Sequence, residues 1–256
     1  MEGFAPALLS RGHGGRLTGP TKVDLAKHDA ADVGDEAIMA AATTPVWIAR
    51  NRAAGALAAA AAGETLLIMD DGHQNPAVKK TLSLVVVDGE TRDGEWPFGD
   101  GGVFPAGPLR EPLAAGLGRA DGVIILAPAD LPEIDPVLLA VFGGLPVLIA
   151  RLEPVGPPLS GPCVGFAGIA KPWKMERALV AAGCDLRDFA PLPDHKAIDD
   201  HTLTFLSRRA EGLGATLVTS EKDWARLSAP WRERVVAWPV RARFEDEAAL
   251  LRLVLG

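Results

Sequence analysis

The stretch LLIMDDGHQNP, residues 66–76, decides the fold. Its first four residues are apolar and long enough for one buried strand, and Asp70 and Asp71 follow at once, before a glycine at which the chain can turn. Two adjacent carboxylates at the end of a strand repel each other unless a positive charge lies beside them. Either Asp71 caps a following helix while Asp70 faces water, or the pair holds a divalent cation at the carboxyl edge of a sheet, where open α/β folds bind ligands.

Short apolar runs recur along the rest of the chain, and helix-forming stretches separate several of them. Because the apolar residues of each run are continuous rather than alternating, we expect a mainly parallel sheet that helices cover on both faces. The sequence therefore predicts an α/β fold. The predicted strands are PALLS, PVWIA, LSLVVVD, DGVIILA, PVLIA, CVGFAGIA, ATLVTS and RVVAWPV, and the predicted helices cover residues 35–43, 51–62, 173–182 and 201–212.

A segment dense in proline and glycine, ARLEPVGPPLSGPC at residues 150–163, predicts an internal boundary. Segments of this composition are typical of linkers between lobes. We therefore expect residues 1–155 to form one lobe and residues 156–256 a smaller C-terminal α/β lobe. A second loose stretch, residues 88–112, is too long and polar for a simple turn, and long ordered loops are usually functional.

Composition excludes several classes of protein. With 48% hydrophobic and 23% charged residues the chain is typical of globular proteins, and its net charge of -7 argues against a nucleic-acid partner. Cys163 and Cys184 are too few for a disulfide framework, which predicts buried thiols in a reducing compartment. No apolar run approaches the roughly 20 residues that span a bilayer, and the start does not resemble a signal peptide. We expect a cytoplasmic protein that is at most peripheral to a membrane.

Two polar segments near the start of the chain are candidate parts of a site. SRGHGGRL, residues 10–17, follows a predicted strand and brings Arg11 and Arg16 into a glycine-rich loop, which suits a phosphate group or is an ordinary solvated turn. DVGDEA, residues 32–37, places three carboxylates at a predicted helix start. There Asp32 caps the helix and Glu36 favours its dipole, or one of the acids takes a proton from an attacking hydroxyl.

Three later segments carry similar chemistry. FPAGPLREP, residues 104–112, holds Arg110 and Glu111 between prolines that stiffen the backbone, which favours ligand contact. PLPDHKAI, residues 191–198, sets His195 beside an acid, as in a proton shuttle. LVTSEKDWARL, residues 217–227, puts hydroxyls and Lys222 at a strand-to-helix turn, which makes an anion site or an ordinary helix cap. The shared theme is anions and a divalent metal at the ends of parallel strands.

The order of these motifs resembles the tetraacyldisaccharide 4'-kinase (lipid A 4'-kinase) family. The resemblance runs collinearly from about Pro6 to Leu227 through LLSRGHGGRL, DVGDEA, LLIMDDGHQN, LVVVDGE, FPAGPLREP, GFAGIAKPW, PLPDHKAI and LVTSEKDWARL. It implies a two-lobed fold like that of P-loop kinases, on the cytoplasmic face of the inner membrane. The implied reaction moves the γ-phosphate of ATP, with Mg²⁺, to the 4'-hydroxyl of a tetraacyldisaccharide 1-phosphate.

The resemblance also implies roles for individual residues. Asp70 and Asp71 match the acidic pair that holds Mg²⁺ and orients the nucleotide phosphates. Asp35 matches the acid that helps to activate the sugar hydroxyl, with His195 as its partner. The expected substrate- and phosphate-binding residues are Arg11, Arg16, Arg52, Gln74, Arg110, Glu111 and Lys222.

The sequence departs from the family pattern in two ways. Asn75 stands where the family usually has a histidine, which puts an acid/base role there in doubt, and His73 replaces an apolar residue. The 256 residues also contain no G-x-x-x-x-G-K-[ST] phosphate loop, because after Gly14 and Gly19 a proline takes the place of the lysine. We therefore expect residues 1–155 to be an N-terminally incomplete kinase core. Three alternatives stay open: a kinase whose first segment lies outside this sequence, a relative that binds an anionic glycolipid or a nucleotide without turnover, and an α/β scaffold that assists another protein.

Overall fold

The computed structural model describes residues 3–194 and 198–256. Within them the strands are β1 Pro6–Ser10, β2 Thr21–Lys22, β3 Val46–Ile48, β4 Leu66–Met69, β5 Leu84–Asp88, β6 Gly122–Pro128, β7 Val147–Pro154, β8 Pro162–Ala167, β9 Asp185–Pro191, β10 Thr216–Ser220, β11 Val236–Trp238 and β12 Val240–Phe244. The helices are α1 Ala30–Val33, α2 Asp35–Ala41, α3 Arg52–Ala61, α4 Leu113–Leu117, α5 Pro136–Val141, α6 Pro172–Ala181, α7 Asp200–Gly212, α8 Glu221–Arg226, α9 Ala229–Arg232 and α10 Glu247–Leu255. The predicted α/β class is confirmed.

Within residues 3–194 and 198–256 the strands form three four-stranded sheets, whereas the sequence predicts one mainly parallel sheet and a smaller C-terminal α/β lobe. The chain also divides into two compact units whose segments alternate along the sequence. The first unit contains residues 1–79, 159–176 and 184–238, and the second contains residues 80–158, 177–183 and 239–256.

The first sheet of the first unit has the order β2-β3-β1-β4. β1 pairs in parallel with β3 and with β4, so the three strands end at the same edge. Leu9 and Ile48 are fully buried in this part of the core. β4 is not the buried strand that the sequence predicts: it lies at the edge of its sheet, and Ile68 is 57% exposed.

The second sheet of the first unit is entirely parallel, in the order β11-β10-β8-β9. Phe166 of β8 packs with Leu203 and Leu206 of α7 in its core. Cys163 and Cys184 are both buried free thiols, as predicted. Burial raises the pKa of Cys163 to about 11, so its thiol stays protonated at neutral pH.

The second unit contains the sheet β12-β7-β6-β5. β5, β6 and β7 are parallel, whereas β12 returns from the end of the chain and pairs antiparallel with β7. Val123 and Ile125 of β6 are fully buried, with Leu138 of α5 against them. The return of β12 brings residues 239–256 into the unit that contains residues 80–158, whereas the sequence predicts the ranges 1–155 and 156–256.

A buried carboxylate organises the loop that follows β5. Glu90 is fully buried, and its oxygens accept hydrogen bonds from Arg92 at 2.7 Å and from Arg177 at 3.1 Å. The same arginines bind Asp130 and Asp93 at the surface. Arginine binding outweighs desolvation and holds the pKa of Glu90 at about 2. An ion-pair network therefore holds the start of the long loop, residues 90–93.

Candidate functional site

The carboxyl ends of β1 and β4 bring Ser10 and Asp70 together. The amide of Asp70 donates to the carbonyl of Leu9 at 3.1 Å, and the Ser10 hydroxyl donates to Asp70 Oδ2 at 3.4 Å. Asp71 is exposed and has a φ of 51°, in the left-handed region. No helix is assigned between Asp71 and β5, a stretch that the structure describes in full, so the interpretation of Asp71 as a helix cap is wrong.

Arg52 connects the ends of β1 and β4 by hydrogen bonds to their backbones. Its side chain starts from the first residue of α3, which Asn51 caps by accepting the amide of Ala54 at 3.1 Å. The guanidinium is buried and donates to the carbonyls of Leu9 and Asp70, the latter at 2.9 Å. Burial lowers the pKa of Arg52, and the nearby carboxylate of Asp70 opposes that effect. Its geometry is that of a tether between strand ends, and its expected contact with phosphate stays a prediction.

The glycine-rich loop after β1 packs against the junction of α1 and α2. The amide of Gly12 donates to the Ser10 hydroxyl at 3.4 Å. A side chain at Gly15 would lie 2.6 Å from the carbonyl oxygen of Asp32, and one at Gly34 would lie 2.4 Å from that of His13. Only glycine permits this approach of two backbones. The loop that begins at Ser10 therefore packs directly against Gly34, the residue before α2.

Arg16 binds Asp32 at the same junction, and Asp32 has a different role from the one predicted. Arg16 Nε donates to Asp32 Oδ1 at 2.6 Å. The alternative in which Asp32 caps a helix is wrong: a separate short helix, α1, precedes α2, Asp29 is its N-cap, and Asp32 completes the capping box from the third position of α1. Hydrogen bonds from the Asp29 amide and from Arg16 lower the pKa of Asp32.

Asp35 is the first residue of α2, and α8 lies against it. Asp35 Oδ1 accepts the amide of Glu36 at 3.0 Å, and Asp35 Oδ2 lies 3.7 Å from Arg226 Nε. The next acid, Glu36, lies 3.5 Å from Lys222 Nζ. Lys222, expected to bind phosphate, thus faces a carboxylate of α2, and its phosphate contact stays a prediction.

Asp223 anchors the start of α8. Its side chain is fully buried, and its Oδ2 accepts the amide of Gly168 at 2.9 Å and the hydroxyl of Ser220 at 2.8 Å. Ser220 in turn accepts the amide of Asp223 at 3.1 Å, so the interpretation of this turn as an ordinary helix cap is correct. Arg226 completes the group by donating to Asp223 and to the carbonyl of Gly168.

The donors at the strand ends suit Mg²⁺. Two carboxylates, Asp70 and Asp71, and the Ser10 hydroxyl are hard oxygen ligands, and Mg²⁺ usually takes one or two carboxylates and keeps waters or substrate phosphates for the rest. Among residues 3–194 and 198–256, no group of three or more His, Cys, Asp or Glu is arranged to hold a metal. A cation held by Asp70 and Asp71 would take its remaining oxygens from water or a bound phosphate.

The remaining predicted residues fall into three groups, and their roles stay predictions. Arg110 and Glu111 belong to the second unit, where Glu111 accepts two hydrogen bonds of 2.7 Å from Arg119. Arg11 and Gln74 are exposed in the first unit. His195 falls outside the described residues.

Sequence reasoning missed Ser10 as a partner of Asp70 and Arg226 as a partner of Asp35. Ser10 was visible as the last residue of a predicted strand. Arg226 stands four residues after Lys222, a spacing that places both on one face of a helix. No pattern, however, indicates which other helix that face meets.

No helix in the described part of the chain is both long and apolar enough to cross a bilayer.

Comparisons with known proteins identify relatives over the whole chain. The family described as LpxK: Tetraacyldisaccharide-1-P 4'-kinase matches residues 1–256. A tetraacyldisaccharide 4'-kinase of Caulobacter vibrioides (strain ATCC 19089 / CIP 103742 / CB 15) is 64% identical over 256 residues, all of this chain and 76% of the relative. One of Phenylobacterium zucineum (strain HLK1) is 65% identical over 249 residues, 97% of this chain and 76% of the relative.

The fold also matches a solved structure. It is similar to the "apo" form of LpxK from Aquifex aeolicus in complex with ATP, with a TM-score of 0.73 and 21% identity, over 98% of this chain and 78% of that one. At this identity the likeness establishes a shared fold.

Proposed function

This chain belongs to the tetraacyldisaccharide-1-P 4'-kinase family, and we propose that it transfers the γ-phosphate of ATP to the 4'-hydroxyl of a tetraacyldisaccharide 1-phosphate. Identity of 64% along the entire chain carries this proposal. The acids and cations of the first unit support it, because phosphoryl transfer depends on positioning and on stabilising charge rather than on covalent chemistry.

We place the metal at Asp70 and Asp71. Two contacts fix Asp70: its amide donates to the carbonyl of Leu9 in β1, and its carboxylate accepts the Ser10 hydroxyl. When bound there, Mg²⁺ would neutralise charge on the phosphate oxygens of ATP. The tether from Arg52 keeps the backbone of Asp70 in place, so the carboxylate is preorganised for this task.

We assign proton transfer to Asp35. It sits at the N-terminal end of α2, where its Oδ1 is held by the Glu36 amide. That leaves Oδ2, which faces Arg226, to accept the proton of the attacking 4'-hydroxyl. His195 is the proposed partner of Asp35 in this step.

The substrate sets the place of the reaction. A disaccharide with four acyl chains stays in a bilayer, so the enzyme must meet it at the membrane surface. We therefore propose peripheral contact with the inner membrane on the cytoplasmic side, where ATP is available. The absence of a spanning helix from the described residues is compatible with that contact.

Substitution of Asp70 and of Asp35 tests the proposal. We expect Asp70→Asn to lower turnover by about 100-fold or more, because the metal loses an anionic ligand.

Asp35→Asn should lower kcat by roughly 100-fold and leave ATP binding unchanged, since an amide cannot accept the proton. The measurement is transfer of ³²P from γ-labelled ATP to the glycolipid across a Mg²⁺ titration, with ATP binding by calorimetry.

Asp185→Asn is the matched control, because Asp185 forms a half-exposed ion pair with Arg187 in the same unit. It should retain full turnover. Unchanged turnover in Asp70→Asn would contradict the metal role, and equal losses of kcat and ATP binding in Asp35→Asn would contradict the base role. Glycolipid binding without any transfer by the unmodified chain would overturn the proposed activity and leave a binding protein.

A further inference from the structure

Helix α8 presents two cations to the first two residues of α2. Arg226 Nε lies 3.7 Å from Asp35 Oδ2, and Lys222 Nζ lies 3.5 Å from Glu36 Oε1. Residues four apart on a helix share a face, and the two acids are consecutive, so the pairs lie side by side. The contact between the helices therefore includes Asp35, the residue to which we assign proton transfer.

Arg226 is fixed from the opposite side. Its NH2 group donates to the carbonyl of Gly168 at 3.1 Å and to Asp223, which is fully buried. Asp223 is held in turn by the Gly168 amide and the Ser220 hydroxyl. Gly168 directly follows β8 and Ser220 ends β10, so the guanidinium is tied to two strands of the second sheet. Its orientation is thus independent of α2.

The free edge of that guanidinium points at Asp35. Arg226 Nε is buried and has no hydrogen-bond acceptor among the described residues. A buried N–H without an acceptor is costly, and Asp35 Oδ2 lies just beyond hydrogen-bond distance. A small closing movement of α2 would give the N–H its acceptor.

We infer that Arg226 is a positioning residue for phosphoryl transfer, which orients the carboxylate of Asp35 through Oδ2 while the Glu36 amide holds Oδ1. The inference rests on the proposed function, because it assigns Arg226 a task only if Asp35 receives the proton. An ordinary surface ion pair does not explain the arrangement: the Arg226 side chain is only 15% exposed and is anchored by a buried acid. Asp223 then serves the site indirectly, by aiming Arg226.

The test separates orientation of Asp35 from general stability. Arg226→Gln should lower kcat by roughly 10- to 100-fold, since small misplacements of a reacting group have effects of this size. The KM values for ATP and glycolipid should stay within about twofold, because the inferred role of Arg226 is to orient Asp35 and not to bind either ligand. Arg226→Lys should recover part of kcat, because it keeps the charge but cannot reach both Asp223 and Asp35. In the background of Asp35→Asn, Arg226→Gln should cause no further loss.

Arg234→Gln is the matched control, because Arg234 forms an exposed ion pair with Glu211 in the same unit at 3.5 Å. It should keep wild-type kcat and nearly wild-type melting temperature, because an exposed pair contributes little to stability. If Arg226→Gln does not fold, Arg226→Lys carries the test with the same division between kcat and KM. Wild-type kcat in the Arg226 variants, or a loss that multiplies with that of Asp35→Asn, overturns this inference alone. Absence of transfer by the wild-type chain overturns the proposed function, and this inference with it.

Discussion

At the residue scale, Glu90 shows how a buried carboxylate can stabilise the fold. Its partners Arg92 and Arg177 keep it ionised in the folded state down to a pKa of about 2, whereas its ordinary value is 4.5. A carboxylate whose pKa is lower in the folded state than in the unfolded state stabilises the fold at pH values above its unfolded pKa. That contribution is lost as the pH falls toward the pKa of the folded state. Glu90 thus contributes to stability at neutral pH and makes the second unit sensitive to acid between about pH 4.5 and 2.

We predict that Glu90→Gln lowers the free energy of unfolding by up to about 3 kcal/mol at pH 7. The difference from wild type should shrink as pH falls toward 3, because the wild-type carboxylate is losing its advantage there. Urea unfolding at pH 7 and at pH 3 measures both effects.

Glu245→Gln is the control for Glu90→Gln. Glu245 also pairs with an arginine of the second unit, Arg151, at 2.7 Å, but its side chain is 46% exposed. Because water screens such a pair, the change should cost at most about 1 kcal/mol at either pH. Equal effects of the two substitutions would contradict the role of burial at Glu90.

At the element scale, Gly15 and Gly34 determine how closely the loop after β1 packs against the start of α2. Gly34 combines a φ of 94° with a backbone neighbour, since a Cβ there would lie 2.4 Å from the carbonyl oxygen of His13. Strain in φ and a backbone clash add at this one position. Any side chain must push the loop away from α2, and Asp35 is the next residue.

We predict that Gly34→Ala costs about 3 kcal/mol of stability and lowers kcat as well, because it moves Asp35. Thermal unfolding and the transfer assay measure the two effects. The matched control is Gly63→Ala: Gly63 has the same φ of 94°, but nothing lies within 4 Å of its Cβ position. It should cost only about 1 kcal/mol and leave kcat unchanged. Wild-type kcat in Gly34→Ala would show that the loop does not position α2.

The strands were predictable where the sequence is apolar without interruption. β1, β3, β6 and β10 follow their predicted runs, because burial on both faces leaves a continuous apolar pattern. β9 escaped prediction, since Asp185, Arg187 and Asp188 interrupt it and its side chains are mostly half-buried or exposed. Hydrophobic periodicity reports which faces of an element are buried. It does not reveal a polar strand such as β9, which forms because it pairs with a neighbouring strand.

The candidate site was predictable in part, for the same reason. Asp70 stands out because a carboxylate pair directly follows an apolar run. The partnership of Arg226 with Asp35 depends on the packing of α8 against α2, which are far apart in sequence. Charge and spacing give the face of a helix, and tertiary packing decides what that face meets.

At the scale of the whole molecule, the chain builds its two units from alternating segments. β12, from the end of the chain, completes the sheet of the second unit, and Arg151 on β7 binds Glu245, which is 94 residues away in sequence. The first unit likewise needs residues 159–176 and 184–238 for its second sheet. Neither unit is a continuous piece of sequence.

We therefore predict that residues 1–155 do not fold as a separate domain. The fragment lacks β12, so β7 has an unpaired edge, and it lacks α8, which packs against α2. Its amide NMR spectrum should be poorly dispersed and it should associate, whereas residues 1–256 should give a dispersed spectrum. A monomeric fragment with a cooperative melting transition would refute this prediction.

The antiparallel return of β12 has a consequence for synthesis on the ribosome. A chain that grows at roughly 5 to 20 residues per second needs about 5 to 20 seconds to pass from Arg151 to Glu245. During that interval the nascent β7 offers its backbone donors and acceptors to any other strand. Expression with more chaperone should raise the soluble yield, because a chaperone covers that edge until its own partner emerges.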